Sequence, residues 1–201
     1  MLNNTIVDKP ADTQTPIHPL LTSRWSPRTF SDESISTNHL NQLFEAIRWA
    51  PSSMNEQPWR ILYVRKGTDE YDKVVSILSD FNQSWVTNAP VILLAAYKKK
   101  FDSGKDNFHA LHDLGLGMAM LTVQAQHLNI AVHQMAGVDW QEAHKVFNVP
   151  DEFHVATAVA LGYYGGELDD LSDDLQKQET KERQRKPSEE IVAEGQFPFN
   201  K

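Results

Sequence analysis

The segment from Ala50 to Trp59 constrains the fold and the function of this 201-residue chain more than any other. It reads APSSMNEQPW, so two prolines bracket a run of small polar side chains. Proline fixes its own φ and removes a backbone donor, and serine and asparagine favour turns. We predict a loop of fixed shape whose hydroxyl and amide groups face a planar ligand with hydrogen-bonding edges. The alternative is an ordinary turn between a helix and a strand.

Hydrophobic spacing on both sides of this loop predicts alternating helices and strands. The predicted helices are 36–50, 69–79, 108–128 and 140–147, and the predicted strands are 60–64, 90–97, 130–135 and 154–162. These elements favour an α+β fold with a central sheet flanked by helices. Residues 98–107 are charged and predict an exposed, mobile loop, and residues 167–182 predict an acidic surface segment. Residues 1–22 and 191–201 are expected to form terminal arms.

The composition excludes several classes of protein. A net charge of −8 argues against non-specific nucleic-acid binding, and the absence of cysteine excludes disulfides and thiolate chemistry. No apolar run approaches the roughly 20 residues that span a bilayer. We therefore expect a soluble, cytoplasmic protein without a membrane partner. The eight histidines lack the spacing of a familiar metal helix, so no metal site is predicted.

Two arginine clusters are candidates for binding a phosphate. Arg24, Ser26 and Arg28 lie within five residues that also include Trp25, and Arg183 and Arg185 lie near the end of the chain. Guanidinium groups match phosphate oxygens in a bidentate geometry. Each cluster alone is more typical of a solvated surface than of a binding site. Together they are the densest arginine clusters of an acidic chain, which favours a shared anionic ligand.

Two further segments are candidates for contacts with a flat ligand. Asn82 precedes a predicted strand and has the hydrogen-bonding groups to meet a pyrimidine-type ring edge, although it is equally compatible with the end of a helix. Gln134, Met135, Ala136 and Gly137 end another predicted strand, where glycine permits close approach of the backbone. Asp139 is expected to cap the next helix in either case.

In this order and spacing, the five motifs resemble those of the nitroreductase family over about residues 23–190. The resemblance implies a mainly antiparallel sheet, an intertwined homodimer, and FMN bound between the subunits, with NAD(P)H as electron donor. A C-terminal arm, residues 191–201 with Phe197, Pro198 and Phe199, is expected to pack on the partner subunit. The family domain is therefore predicted to span residues 23–190.

The resemblance also implies roles for the motif residues. The phosphate and ribityl chain are expected to contact Arg24, Ser26, Arg28, Arg183 and Arg185. The partner subunit is expected to supply Pro51, Ser52, Ser53 and Asn55. Asn82 is expected at the pyrimidine end of the ring, and Met135, Ala136 and Gly137 at its N5 side. Trp25, Gln57 and Gln134 lie in the matching motifs and are assigned to the cofactor site, and Phe108 is assigned to the substrate pocket.

The implied activity is transfer of electrons from NAD(P)H to nitroaromatic, quinone or related acceptors by a ping-pong mechanism. No protein side chain is predicted to act as a catalytic acid or base. Ala136 stands where some members of the family have glutamate, and the segment after Tyr97 is short and charged. Acceptor specificity therefore stays open. Enone reduction, dehalogenation, and a flavin storage or sensing role are the alternatives.

Overall fold

The computed structural model describes residues 7–195 and 197. The helices are α1 (Pro19–Ser23), α2 (Thr37–Arg48), α3 (Asp69–Ser76), α4 (Asp80–Val86), α5 (Ala110–His127), α6 (Trp140–Val146) and α7 (Asp173–Thr180). The strands are β1 (Trp59–Arg65), β2 (Val91–Lys98), β3 (Ile130–Met135) and β4 (Phe153–Tyr163). In the part of the chain so described, no helix is both long enough and apolar enough to cross a bilayer.

The four strands form one antiparallel sheet in the order β1-β2-β4-β3. The prediction of an α+β fold around a mainly antiparallel sheet is therefore confirmed. The central strand β2 is buried along its first six residues, as its continuous apolar run indicates. The strands β1 and β3 form the two edges of this sheet, and two of the candidate motifs adjoin them.

Helices cover both faces of the sheet. On one face, α2 and α5 contribute Leu43, Ile47, Leu114 and Leu121 to an apolar core with β2 and β4. On the other face, residues of α3, α4, α6 and α7 pack against the same strands, and Trp85 of α4 is fully buried there. Burial of apolar surface on both faces supplies the main stabilisation of this three-layer arrangement.

Three helices were missed by the hydrophobic pattern, and the five-residue α1 lies where the predicted N-terminal arm ends. α4 is short and polar, but Ser79 caps it by accepting a hydrogen bond from the Asn82 backbone N–H. α7 lies in the segment that was predicted only as an acidic surface, and it buries just Leu175 and Glu179. A helix that buries two residues leaves little periodic signal in the sequence.

The segment 98–107, which was predicted as an exposed, mobile loop, is a short hairpin. Lys100 and Asp106 form a β-bridge, and the Phe101 backbone N–H donates to the Lys105 carbonyl oxygen over 2.9 Å. Lys98 and Asp102 form an ion pair across the same turn. Side chains of opposite charge therefore pair within this segment, although its composition indicated only that the segment is exposed to solvent.

The N-terminal segment contacts the body of the chain. The Lys9 ammonium donates to the Glu179 carbonyl oxygen over 2.7 Å, and the Arg183 Nη1 donates to the Lys9 carbonyl oxygen over 2.8 Å. The remainder of both predicted arms, residues 1–6, 196 and 198–201, lies outside the described residues. The prediction that Pro198 and Phe199 pack on a partner falls there. The division of the chain into arms and domain stays a prediction.

Candidate functional site

The segment 24–28 is fixed along the edge strand β3. The ring Nδ1 of His133 lies 2.8 Å from the Pro27 carbonyl oxygen. The Trp25 ring is buried beside Tyr164, at 6.5 Å between ring centroids. Phe30 packs so closely on β4 that a Cβ at Gly162 would lie 2.7 Å from Phe30. The side chain of Trp25 therefore serves the packing of this segment, while Ser26 stays exposed.

The fold brings the two predicted arginine clusters together. Burial is the main cause that lowers the pKa of Arg183. The positive charges of Arg24 and Arg185 lower it further. The Arg183 Nη1 donates to the carbonyl oxygens of Lys9 and Thr22, each over 2.8 Å. Arg185 is exposed, and Arg24 is half-buried. Three guanidinium groups thus lie close together at one surface, although their motifs are about 160 residues apart in the sequence.

Arg28 has a different environment from the other arginines of the motif. Its Nη1 lies 3.1 Å from Glu179 Oε2, and its backbone N–H donates to Glu179 Oε1 over 2.6 Å. Its guanidinium lies 5.7 Å from the centre of the Phe81 ring. Arg28 therefore lies against α4, and its charge is paired with a carboxylate of α7.

Asn82 and Gly137 are in direct contact. The Asn82 Nδ2 donates to the Gly137 carbonyl oxygen over 3.2 Å, and the Ser79 backbone N–H donates to the same oxygen over 2.9 Å. Asn82 lies in the first turn of α4, so the alternative that it ends a helix is wrong. β3 ends at Met135 as predicted, and Asp139 caps α6 as predicted. Met135 is buried, whereas Gln134 and Ala136 are exposed.

The loop 50–59 has a strained, fixed conformation. Met54, Asn55 and Gln57 have φ values of 53°, 58° and 48°, in the left-handed region that non-glycine residues rarely adopt. The Gln57 backbone N–H donates to Ser52 Oγ over 3.0 Å, which closes the loop. Pro51, Asn55 and Gln57 are exposed. Strain of this kind persists where surrounding structure enforces it, and it clusters at binding sites.

A buried carboxylate outside the predicted motifs holds this loop. Asp113 Oδ2, on the first turn of α5, accepts a hydrogen bond from the Ser53 backbone N–H over 3.0 Å. The sequence showed Asp113 only beside two histidines. Glu179 was likewise missed, because nothing in an acidic, polar segment distinguishes the one buried carboxylate. No group of three or more potential metal ligands occurs in the described ranges 7–195 and 197.

The predicted site residues form two separate groups. The loop 50–59 leads into β1, whereas Arg28, Asn82 and Gly137 lie beside β3, with β2 and β4 between these edges. Three strand spacings of about 4.8 Å separate the edges by roughly 14 Å. Phe108 precedes α5, on the side of the loop, and is 91% exposed. The predicted site residues of one chain therefore lie in two groups at opposite edges of the sheet.

Comparison with known proteins identifies the family of the chain. Residues 21–163 match the model of the nitroreductase family. Since the match spans well over half of the sequence, the chain belongs to the nitroreductase family, and the resemblance inferred from the five motifs is confirmed.

Individual relatives are similar at moderate identity. An FMN reductase [NAD(P)H] of Bacillus subtilis is 33% identical over 116 residues, which are 56% of this chain and 45% of that protein. A Streptomyces coelicolor protein with the provisional name NADH dehydrogenase/NAD(P)H nitroreductase is 26% identical over 169 residues, 73% of this chain and 82% of its own. A crystal structure described as an oxidoreductase containing FMN superposes with a TM-score of 0.86 at 31% identity, covering 92% of this chain and 95% of the other.

Proposed function

We propose that this protein is an FMN-dependent oxidoreductase that passes electrons from NAD(P)H to nitroaromatic, quinone or related small-molecule acceptors. Membership of the nitroreductase family and the similarity to the FMN reductase of Bacillus subtilis support an NAD(P)H-dependent oxidoreductase. The observation that carries the proposal is the convergence of Arg24, Arg183 and Arg185 at one surface.

The residues present fit FMN in the chemistry of their donors. Arg24, Arg185 and the Ser26 hydroxyl offer charge-assisted hydrogen bonds to a phosphate. Arg183 has one amino group engaged by backbone carbonyls, so it both braces the segment and adds positive charge. Bound FMN supplies the hydride and electron transfer that the side chains lack. The chain itself binds the cofactor, orients it and limits its access to water.

The ring end of the site fits a flat ligand at Gly137. A Cβ at this residue would lie 2.5 Å from Ser79 Oγ and 2.7 Å from Asn82 Nδ2, so only glycine allows β3 and α4 to approach so closely. The Gly137 carbonyl is engaged by Ser79 and Asn82. The exposed Gln134 and Ala136 then provide an open surface for the ring beside this rigid turn.

A homodimer would unite the two groups of site residues, each of which would form half of a shared site. The outer face of α5 exposes the apolar side chains of Leu111, Met120 and Val123, and a Cβ at Gly115 on the same helix would meet no atom within 4 Å. Apolar helix faces of this kind are typical of subunit interfaces. A twofold arrangement would bring the loop 50–59 of one subunit to the arginine segment of the other. We propose two shared FMN sites in each dimer.

The shared position of donor and acceptor predicts the kinetics. With one open side of the flavin, NAD(P)H and acceptor occupy the same space in turn, so initial-rate plots should give parallel lines. Intersecting lines would require both substrates to be bound together, which contradicts a shared space. Phe108, exposed beside the loop, is proposed to line the acceptor pocket.

The primary test is flavin binding followed by anaerobic addition of NAD(P)H. Apo-protein should bind FMN, and the donor should rapidly bleach the bound flavin. A yellow protein that stays oxidised would favour a storage or sensing role, and failure to bind FMN would refute the proposal.

A variant separates phosphate recognition from ring recognition. Arg185→Ala should weaken FMN binding by about tenfold or more, because a charge-assisted hydrogen bond contributes about 1.5–3 kcal/mol. Binding of riboflavin, which lacks the phosphate, should not change. Lys181→Ala removes a nearby exposed positive charge and serves as the matched control. Equal losses for FMN and riboflavin would contradict the phosphate assignment.

A further inference from the structure

Glu179 is the one residue of α7 whose charged side chain is fully buried in the described structure. It is 1% exposed, whereas Asp173, Asp174 and Lys177 of the same helix face solvent. A buried carboxylate is costly unless it is paired and hydrogen-bonded. Its position therefore calls for a specific partner, and that partner is Arg28.

Glu179 binds Arg28 through both carboxylate oxygens. Oε1 accepts from the backbone N–H at 2.6 Å, and Oε2 accepts from Nη1 at 3.1 Å. The neighbouring Gln178 Oε1 accepts from Arg28 Nη2 at 3.3 Å. One carboxylate thus fixes the main chain and the side chain of the same residue, so the direction of the guanidinium is determined by α7.

Arg28, which the resemblance assigned to the phosphate and ribityl chain, lies beside the elements that carry Asn82 and Gly137, the residues proposed for the ring. Its guanidinium lies on Phe81, the residue before Asn82, and its charge helps to lower the pKa of His133 on β3. Burial is the main cause of that shift, which brings the pKa of His133 to about 4, so His133 is neutral at pH 7. α4 and β3 are the elements that carry Asn82 and Gly137. Lys9 is the other cation close to this pair, and its ammonium donates to the Glu179 carbonyl oxygen over 2.7 Å.

We propose that Glu179 is a positioning residue of the flavin site, which directs Arg28 and cancels its positive charge beside the ring. The proposal rests on the function proposed above. A positive charge near the ring favours the reduced, anionic flavin over the oxidised flavin, and a paired carboxylate weakens that preference. Glu179 would therefore set the reduction potential of the cofactor without contacting it.

The test is the midpoint potential of the bound flavin in Glu179→Gln. The amide keeps an oxygen that accepts from the Arg28 backbone but removes the charge, so Arg28 becomes uncompensated. The affinity for reduced FMN relative to oxidised FMN should rise about tenfold, which for a two-electron couple is about 30 mV more positive. Glu182→Gln, an exposed acid three residues further along, is the matched control and should leave the potential unchanged.

A double variant distinguishes charge from loss of structure. Arg28→Gln alone should lower the potential, because it leaves the carboxylate unpaired, and it also tests the proposal if Glu179→Gln does not fold. The combination of Arg28→Gln with Glu179→Gln again has no net charge, so its potential should return close to that of the unmodified protein.

Three results would overturn the inference: an unchanged or lowered potential in Glu179→Gln, an unchanged or raised potential in Arg28→Gln, or a double variant that departs further than either single one. If the protein binds FMN and is reduced by NAD(P)H while these potentials fail to move as stated, only the role of Glu179 is wrong. If it binds no FMN, the proposed function fails as well.

Discussion

Replacement of Gly137 by alanine should destabilise the fold and weaken FMN binding together. The new methyl group would lie 2.5 Å from Ser79 Oγ, 2.7 Å from Asn82 Nδ2 and 3.1 Å from Ser79 Cβ. Neither neighbour is free to move, because Ser79 caps α4 and Asn82 donates to the Gly137 carbonyl. Overpacking costs about 1–3 kcal/mol and a lost cap about 1 kcal/mol. We therefore expect a loss of about 2–4 kcal/mol in the free energy of unfolding.

Urea denaturation of the apo-protein measures this loss, and titration with FMN measures the effect on the site. Because Asn82 must move, FMN affinity should fall even at temperatures where the variant is fully folded. Ser79→Ala removes the nearest atom, so the double variant should lose less stability than the sum of the two single variants. A loss below about 1 kcal/mol for Gly137→Ala, or strict additivity with Ser79→Ala, would refute the close contact.

Three further predictions concern other parts of the molecule. Asp113→Ala should lower both the FMN affinity and the free energy of unfolding by about 1.5–3 kcal/mol, because the Ser53 N–H loses a charged acceptor. Asp113→Asn keeps an acceptor, so it should lose less in FMN titration and in urea denaturation. Burial lowers the pKa of His133 from 6.5 to about 4, so the native state resists a proton that the unfolded state takes up. Stability should therefore fall between pH 6.5 and pH 4, by on the order of 3 kcal/mol, and urea denaturation of His133→Asn should show a smaller fall. Gly115→Ala should improve the isolated helix by about 1 kcal/mol yet weaken the dimer in sedimentation experiments; an unchanged dimer would place the interface elsewhere.

The order of the helices and strands was largely readable from hydrophobic spacing. β2 shows a continuous apolar run because both of its faces are covered, and α2 places Leu40, Leu43 and Ile47 on one face. α4 and α7 were not readable, because each buries few apolar residues and contains mostly polar ones. Hydrophobic spacing identifies a helix or strand only where several of its side chains, at regular intervals, contact the core.

The loop 50–59 shows how much of a site a sequence motif can predict. Its prolines and small polar residues indicated a fixed loop, and the structure gives it three left-handed residues and an internal hydrogen bond. The sequence did not show that Asp113 holds Ser53, because that contact joins residues 60 positions apart. It also did not show that the loop lies at the opposite edge of the sheet from the arginine segment.

The sequence by itself therefore determined the family, the fold class and the chemical types available to the site. Only the tertiary structure decided which charges are free and which are paired. The sequence alone does not distinguish Arg24, Arg28, Arg183 and Arg185 from one another. In the structure, Arg28 is neutralised by a carboxylate 151 residues away, while Arg185 stays exposed. The physical reason is that burial and pairing of a charge depend on the groups that the whole fold brings within about 3 Å, and no local pattern encodes those neighbours.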